Sequence, residues 1–357
     1  MQAIAVYEGT NEPEIIDLPQ PEPDDGEALV RTLRVGVDGT DHEVISGGHG
    51  GMPADDDYHV LGHEAVGVVE DANGTDLSVG DVVVPTVRRR PNGDNEYFER
   101  GEPDMAPDGQ YHERGIVGAH GFMADYFTSP AEFLVTVPPE LAELGFLVEP
   151  ISITEKAVEH ADASRSAFEW NPESALVLGN GSLGLLTLAM FEQRFDRTYC
   201  LGRRERPDPT IDIIELLGST YVSSNETAIP EIPDTHEAPD LIYESTGYAK
   251  HPYESIEALA PNGVLALLGI PGDWEFEIDG GKLHREAVLH NKAIVGSVNS
   301  HVGHFEAAVD TLASLSEPFL DNLVTGVYDY ENHEAAFVND NSTIKNAIQF
   351  SRYEERR

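Results

Sequence analysis

Two rhythms of apolar residues divide the chain. Over residues 1–150, short runs such as "AIAVY", "EALVRTLRVGV", "EAVGVVE" and "GDVVVPTV" are cut by groups of Gly, Pro, Asn and Asp, which predicts a β-rich region. Near residue 150 the rhythm changes. "ISITEKAVEHADA" predicts a helix. After it, apolar runs recur at "SALVLG" (174–179), "TYCLG" (198–202), "STYVS" (219–223), "DLIYES" (240–245), "GVLALLG" (263–269) and "AIVGSV" (293–298), most of them separated by helix-compatible segments. Near-continuous apolar strands that alternate with helices predict a parallel sheet covered on both faces, in a doubly wound α/β layout. From about residue 300, "HVGHFEAAVDTLASL" predicts a helix, and "LVTGVYDY" with a final helix returns to the style of the first region. The expected organisation is one domain from 1–150 and 300–357 and a second from 151–299. One stretch resists this reading. Residues 88–118 have little periodicity and many turn formers, which predicts a long loop of the kind that is usually functional or disordered.

Composition narrows the setting. The chain has 357 residues, 40% of them hydrophobic, enough for two buried cores. Its 65 acids against 22 basic residues give a formal net charge of −43, spread along the whole length, and only five residues are lysine. Such a surface resembles that of haloarchaeal cytosolic proteins, where concentrated salt shortens the screening length to about 3 Å at 1 M and quenches self-repulsion. Nucleic acid is excluded as a partner, because a phosphate backbone needs a basic footprint. Cys200 is the only cysteine and the start "MQAIAVYEG" has no basic n-region before a long apolar segment. No apolar run reaches the roughly 18 residues of a membrane span, so a cytoplasmic protein with no membrane association is expected.

Two candidate sites stand out. In "ALVLGNGSLGLLTLAM", Gly179-x-Gly181-x-x-Gly184 follows an apolar strand and opens an apolar helix, the context that makes this motif a dinucleotide site rather than a chance glycine turn. Gly179, Asn180, Gly181, Ser182, Leu183 and Gly184 are assigned to the cofactor. The end of the second strand reads "CLGRRERP", without the acid that grips an NAD ribose. Arg203 and Arg204 there suit a 2′-phosphate, so NADP is favoured and NAD tolerated. The second site lies in the first region. His63-Glu64 in "YHVLGHEAVGVVE", Glu149 in "FLVEPISITEKA" and Asp38 in "GVDGTDH" supply imidazole and carboxylates for a catalytic zinc with one open position.

In this order, "GVDGTDH", "GHEAVGVV", "GDVV", "EP" before a helix and the glycine motif resemble the zinc-dependent medium-chain alcohol and polyol dehydrogenases over essentially the whole chain. "GQYHERGIVGAHGFMADYF" and "FLVEPISITEKA" look most like the archaeal glucose 1-dehydrogenase branch. The resemblance implies a GroES-like catalytic domain joined to a Rossmann cofactor domain, and C1 oxidation of an aldose such as glucose to the lactone. A zinc-dependent alcohol or polyol dehydrogenase is the alternative. A homo-oligomer, dimer or tetramer, is implied as well. Asp38 stands where the family usually has a cysteine ligand. His63 matches the histidine ligand, Glu64 the acid that ligates or exchanges with water, and Glu149 the carboxylate of the "EP" segment. Thr40 matches the hydroxyl that hydrogen-bonds substrate and starts a proton relay. Glu113 in "HERG" resembles the acid that binds sugar hydroxyls, and Asn299 is a further candidate toward sugar or nicotinamide. Residues 88–118 lack the family's structural-zinc cysteines, so that lobe must be held otherwise. Asp41 and His42 are expected in supporting positions, and Cys200, Tyr126 and Phe127 in the core.

Overall fold

Strand Glu27–Val37, eleven residues long, organises the first unit in the computed structural model, which describes residues 1–91, 93 and 95–354. This unit comprises Met1–Ser152, Asn299–Ser314 and the chain from Val324 on. Along one edge, Glu27–Val37 pairs antiparallel with Glu64–Asp71. Two register shifts there, between Leu29 and Val30 and between Thr32 and Arg34, deepen its twist. Its other edge is shared: Tyr126–Pro130 covers residues 27–31, and Lys345–Gln349 covers 34–37. Val82–Pro85, Leu134–Val137 and Val324–Asp329 complete a seven-stranded sheet. A second sheet joins Glu14–Asp17, Gln2–Tyr7 and Tyr58–Val60. Phe127 is buried in the core, as expected, whereas Tyr126 is only partly covered.

Two expectations for this unit are corrected. The chain's last regular element is a strand, Lys345–Gln349, and the helix expected there is confined to the single turn His333–Ala336. "KNAIQ" carries helix-compatible residues, but central pairing to Glu27–Val37 and Val324–Asp329 overrides local preference. Residues 88–118 are likewise not a structureless loop. Arg88–Arg89, His112–Arg114 and Gly118–Ala119 form a small sheet, with short helical turns at Glu96–Glu99 and Pro103–Met105. Phe98, Ala106 and Phe133 give the lobe its own core, flanked by Tyr97 and Tyr111. Elements of two to four residues are too short for periodicity to register. Asn92 and Asp94 lie outside the described residues.

The second unit, Ile153–Val298 with Leu315–Leu323, carries a six-stranded sheet, all parallel. Its order is Thr220–Ser223, Arg197–Gly202, Ser174–Leu178, Leu241–Glu244, Val264–Leu267, Ala293–Gly296. Ser174–Leu178 therefore lies between Arg197–Gly202, the next strand of the chain, and Leu241–Glu244, to which the winding returns after Thr220–Ser223, so the direction of winding reverses there. In open α/β sheets this switch point is where a ligand meets the strand ends. Leu176, Leu178, Ile242 and Leu265 anchor a buried cluster on one face of the sheet, and Cys200 is buried as expected. Helix Val148–Arg165 starts three residues earlier than its apolar pattern predicts, drawing Glu149 and Pro150 into the first turn. Proline is tolerated there because a first-turn N–H has no partner within the helix. Among the described residues, no helix is long and apolar enough to cross a membrane.

Candidate active site

The site begins where strand Glu27–Val37 stops. Asp38 is the N-cap of helix Gly39–Ser46: its Oδ1 accepts from the Asp41 N–H at 3.1 Å, and Asp41 Oδ2 accepts from the Asp38 N–H at 3.0 Å. This reciprocal cap fixes the Asp38 carboxylate and leaves Oδ2 pointing away from the helix. His63 and Glu64 arrive at the head of the neighbouring strand, where Glu64 stands opposite Gly36. A Cβ on Gly36 would lie 2.0 Å from Glu64 Oε2, so only glycine leaves room for that carboxylate. Asp38 Oδ2 lies 3.6 Å from His63 Nε2, and one donor atom each from Asp38, His63 and Glu64 falls within 4.8 Å of the others. Glu149 is outside this trio but buried close enough for its charge to act on His63.

These groups titrate abnormally. Burial, with help from Glu64 and Asp38 and against His63, pushes the Glu149 carboxyl up to about 8. Burial and the Asp38 charge push Asp41 up to about 7. Burial also raises Glu64, against the opposing pull of Lys345. Asp38 goes the other way. Burial would raise it, but the charge and hydrogen bond of His63 hold it well below the usual carboxylate range, and His63 rises correspondingly despite its own burial. Four carboxylates thus share a buried space with one imidazole and one ammonium. A divalent cation fits that imbalance, and the O/N donor set suits zinc or a harder ion. The ammonium is Lys345, which the sequence reading passed over. It is 1% exposed on the last strand and ion-paired with Glu64. Lys345 heads the strand "KNAIQ", and its sequence neighbours give no sign of burial; the scarcity of lysine, five in the chain, is the one feature that singles it out.

Asp41 is fully buried, with Oδ1 3.9 Å from His63 Nδ1, which places it behind the imidazole as a supporting group. His42 packs edge-on against Phe337. Thr40 lies in the first helical turn beside Asp38 and is partly exposed. Glu113 is buried in the small lobe and faces Arg88 across the strand pair, with Arg88 Nε donating to its Oε1 at 2.9 Å. Asn299 Nδ2 donates to the same oxygen at 3.1 Å, so the structure brings these two candidates together. Asn299 holds a left-handed backbone at φ 57° and caps itself through Oδ1 to the Ser300 N–H.

In the second unit the glycine turn behaves as its motif requires. Gly179 has φ 113°, and a Cβ on Gly184 would lie 2.0 Å from Gly179 O. At Gly181 a Cβ would meet nothing within 4 Å, so the backbone there is open to a ligand. Gly181 also N-caps helix Ser182–Glu192 with no side-chain cap, leaving first-turn N–H groups free to meet a pyrophosphate. Ser182 and Leu183 are partly exposed in that turn. Asn180 is buried and donates to Thr210 Oγ1 at 2.6 Å, while Gly202 leaves space for its side chain. The two arginines differ. Arg204 is ion-paired to Asp208 at 3.1 Å, whereas Arg203 is exposed and its carbonyl is held by Asn225.

Sheet order, glycine turn and the clustered Asp–His–Glu group together define a medium-chain dehydrogenase. The profile of the alcohol dehydrogenase GroES-like domain matches residues 24–139, and that of the glucose dehydrogenase C-terminus matches 142–350. The chain belongs to the glucose dehydrogenase family. "Glucose 1-dehydrogenase 1" of Haloterrigena turkmenica is 66% identical, covering 98% of this chain and all of that one. The structure of Haloferax mediterranei glucose dehydrogenase in complex with NADP, Zn and gluconolactone superposes with a TM-score of 0.97 at 65% identity, over 99% of this chain and 100% of that one. At 21% identity, 2R,3R-butanediol dehydrogenase from Bacillus subtilis shares the fold with a TM-score of 0.80, over 98% of this chain and 99% of that one.

Proposed function

We propose that the chain oxidises the C1 hydroxyl of D-glucose to the lactone and passes the hydride to NADP, with NAD also accepted and zinc as the metal. The observation that carries this reading is the Asp38–His63–Glu64 group, with His63 and Glu64 buried, in a chain that matches from end to end a glucose dehydrogenase structure in complex with NADP, Zn and gluconolactone. Bound zinc supplies a Lewis acid that acidifies the sugar hydroxyl. Asp38 Oδ2 and His63 Nε2 would hold it, with Glu64 and Glu149 as the carboxylates that would ligate directly or through water. Asp41 Oδ1 faces His63 Nδ1 and keeps the other ring nitrogen on the metal side. Thr40 Oγ1 takes the hydroxyl proton and passes it outward. Glu113 and Asn299 bind the sugar, and neither of the bonds on Glu113 Oε1 uses its Oε2.

On the cofactor side, the Gly179–Gly184 turn and the N-terminus of Ser182–Glu192 receive the pyrophosphate. Arg203 takes the 2′-phosphate, with Arg204 steadied by Asp208 beside it. The same reading includes a cytoplasmic homo-oligomer. Edge strand Ala293–Gly296 exposes Ile294, and helix Gly280–Leu289 exposes Val288 and Leu289 at its end, a surface suited to a second copy.

The test is a panel of aldoses and polyols assayed with NADP and NAD in multimolar salt, with and without EDTA. Glucose with NADP is expected to give the highest kcat/KM, with activity lost to EDTA and restored by zinc. A polyol or simple alcohol as best substrate, or EDTA-resistant activity, overturns the reading.

A further inference from the structure

The lobe at residues 88–119 has no cysteine, and beside its small apolar core one buried side chain ties its segments together. Arg88 is 3% exposed, and its Nη1 donates to three backbone carbonyls: Asp104 at 2.9 Å, Pro103 at 3.2 Å and Ala106 at 3.2 Å. Its guanidinium plane lies 3.6 Å over the Tyr111 ring. Its Nε donates to Glu113 Oε1. One planar group therefore gathers the turn Pro103–Met105, the aromatic wall and the strand that carries Glu113. A guanidinium suits this because its donors are fixed in direction, whereas an ammonium is a point charge on a flexible stem.

The contact to Glu113 has a second consequence. Oε1 accepts from both Arg88 Nε and Asn299 Nδ2, so two donors from separate parts of the first unit converge on one oxygen. A carboxylate gripped through one oxygen cannot rotate freely, and the other oxygen is held toward the unblocked side. With Oε1 taken by these two donors, Oε2 is the oxygen left to accept from a hydroxyl.

We propose that Arg88 is a positioning residue for sugar recognition: it fixes the Glu113 carboxylate so that Oε2 meets a sugar hydroxyl, and it ties that aim to the folding of the lobe. This inference rests on the reading of Glu113 as a sugar-binding acid. Arg88 itself touches no substrate. Replacing it leaves hydride transfer intact and weakens the binding of glucose.

The experiment compares Arg88→Met, Arg88→Lys, Glu113→Gln, the double variant Arg88→Met/Glu113→Gln and Tyr111→Leu, each assayed for glucose and NADP and for bound zinc. Arg88→Met is expected to raise the glucose KM about tenfold, the loss of one charge-assisted hydrogen bond, with kcat, NADP KM and zinc content little changed. Arg88→Lys recovers part of the loss, and the double variant is no worse than Glu113→Gln alone. Tyr111→Leu loosens the lobe but leaves the Arg88–Glu113 bond, so it lowers thermal stability with a much smaller rise in glucose KM. If Arg88→Met does not fold, Arg88→Lys and its double variant with Glu113→Gln decide by the same non-additivity. An unchanged glucose KM in the Arg88 variants beside a raised one in Glu113→Gln overturns the role of Arg88 alone. So do multiplying effects in the double variant, or an equal rise in Tyr111→Leu. An unchanged KM in Glu113→Gln overturns the Glu113 reading and the proposal with it.

Discussion

The nucleotide turn and the metal group are built in opposite ways. Residues 179–184 and 202–204 lie at the ends of two adjacent strands of one sheet and rest largely on backbone shape: a glycine at positive φ, an uncapped helix start and space where side chains are missing. The metal group draws on Asp38, His63, Glu64, Glu149 and Lys345, spread over some 300 residues of chain, and works through buried charge. One is a local conformation that a motif can encode. The other is an electrostatic balance that exists only when distant strands pair. The first tolerates change at its rim; the second has no rim.

That contrast sets the size of the effects that break it. His63→Ala should remove bound zinc and lower kcat by about 10³-fold or more, because it deletes the ligand that the carboxylates surround. Zinc content and kcat measured on one preparation check this, and a zinc-replete, half-active variant would refute the ligand role. Lys345→Met should come next. Leaving Glu64 without its buried partner is expected to cost about 3–5 kcal/mol in the EDTA-treated protein and distinctly less with zinc present. Equal losses of melting temperature in both states would contradict the shared charge balance. At the nucleotide site, Arg203→Ser should raise the NADP KM about tenfold and leave the NAD KM within about twofold. Parallel rises for both cofactors would place Arg203 elsewhere than the 2′-phosphate.

The smallest effect isolates burial without metal. His59 is 1% exposed, its Nε2 faces the Ala119 carbonyl at 3.0 Å, and burial pushes its pKa down to about 4. Its folded-state pKa lies below the unfolded value of about 6.5, so the unfolded chain takes up the proton first. Stability held above pH 6.5 is therefore lost as pH falls toward 4. His59→Gln should flatten that part of the pH–stability curve. An unchanged slope in denaturant melts between pH 6.5 and 4 would show that other groups dominate.

Legibility followed the same division. All six parallel strands, the glycine turn and the change of style near residue 150 could be read from the chain, because each is a contiguous pattern of apolar or small residues. The ligand candidates carry only a weak local mark, a His-Glu pair before a strand and an acid beside a turn or helix start, and gain their weight from the family order, since one acid among 65 says little alone. Lys345 and Arg88 escaped notice for a related reason. Long cations are normally solvated, and their burial depends on carboxylates and carbonyls brought in from other segments. The final strand was misread because "KNAIQ" has no alternation when both faces are covered. The lobe at 88–119 was misread because its elements are shorter than one period.

By itself the sequence determined the α/β class, the dinucleotide turn and an acidic surface without a nucleic-acid footprint. These follow from periodicity, glycine and net charge, which are properties of neighbouring residues or of the sum. Only the tertiary structure decided how the acids are used. It capped Asp38 with Asp41, set Glu64 against Gly36 and Lys345, and turned Glu113 toward Arg88 and Asn299. Electrostatic energy depends on distance and burial, and neither is a function of position along the chain.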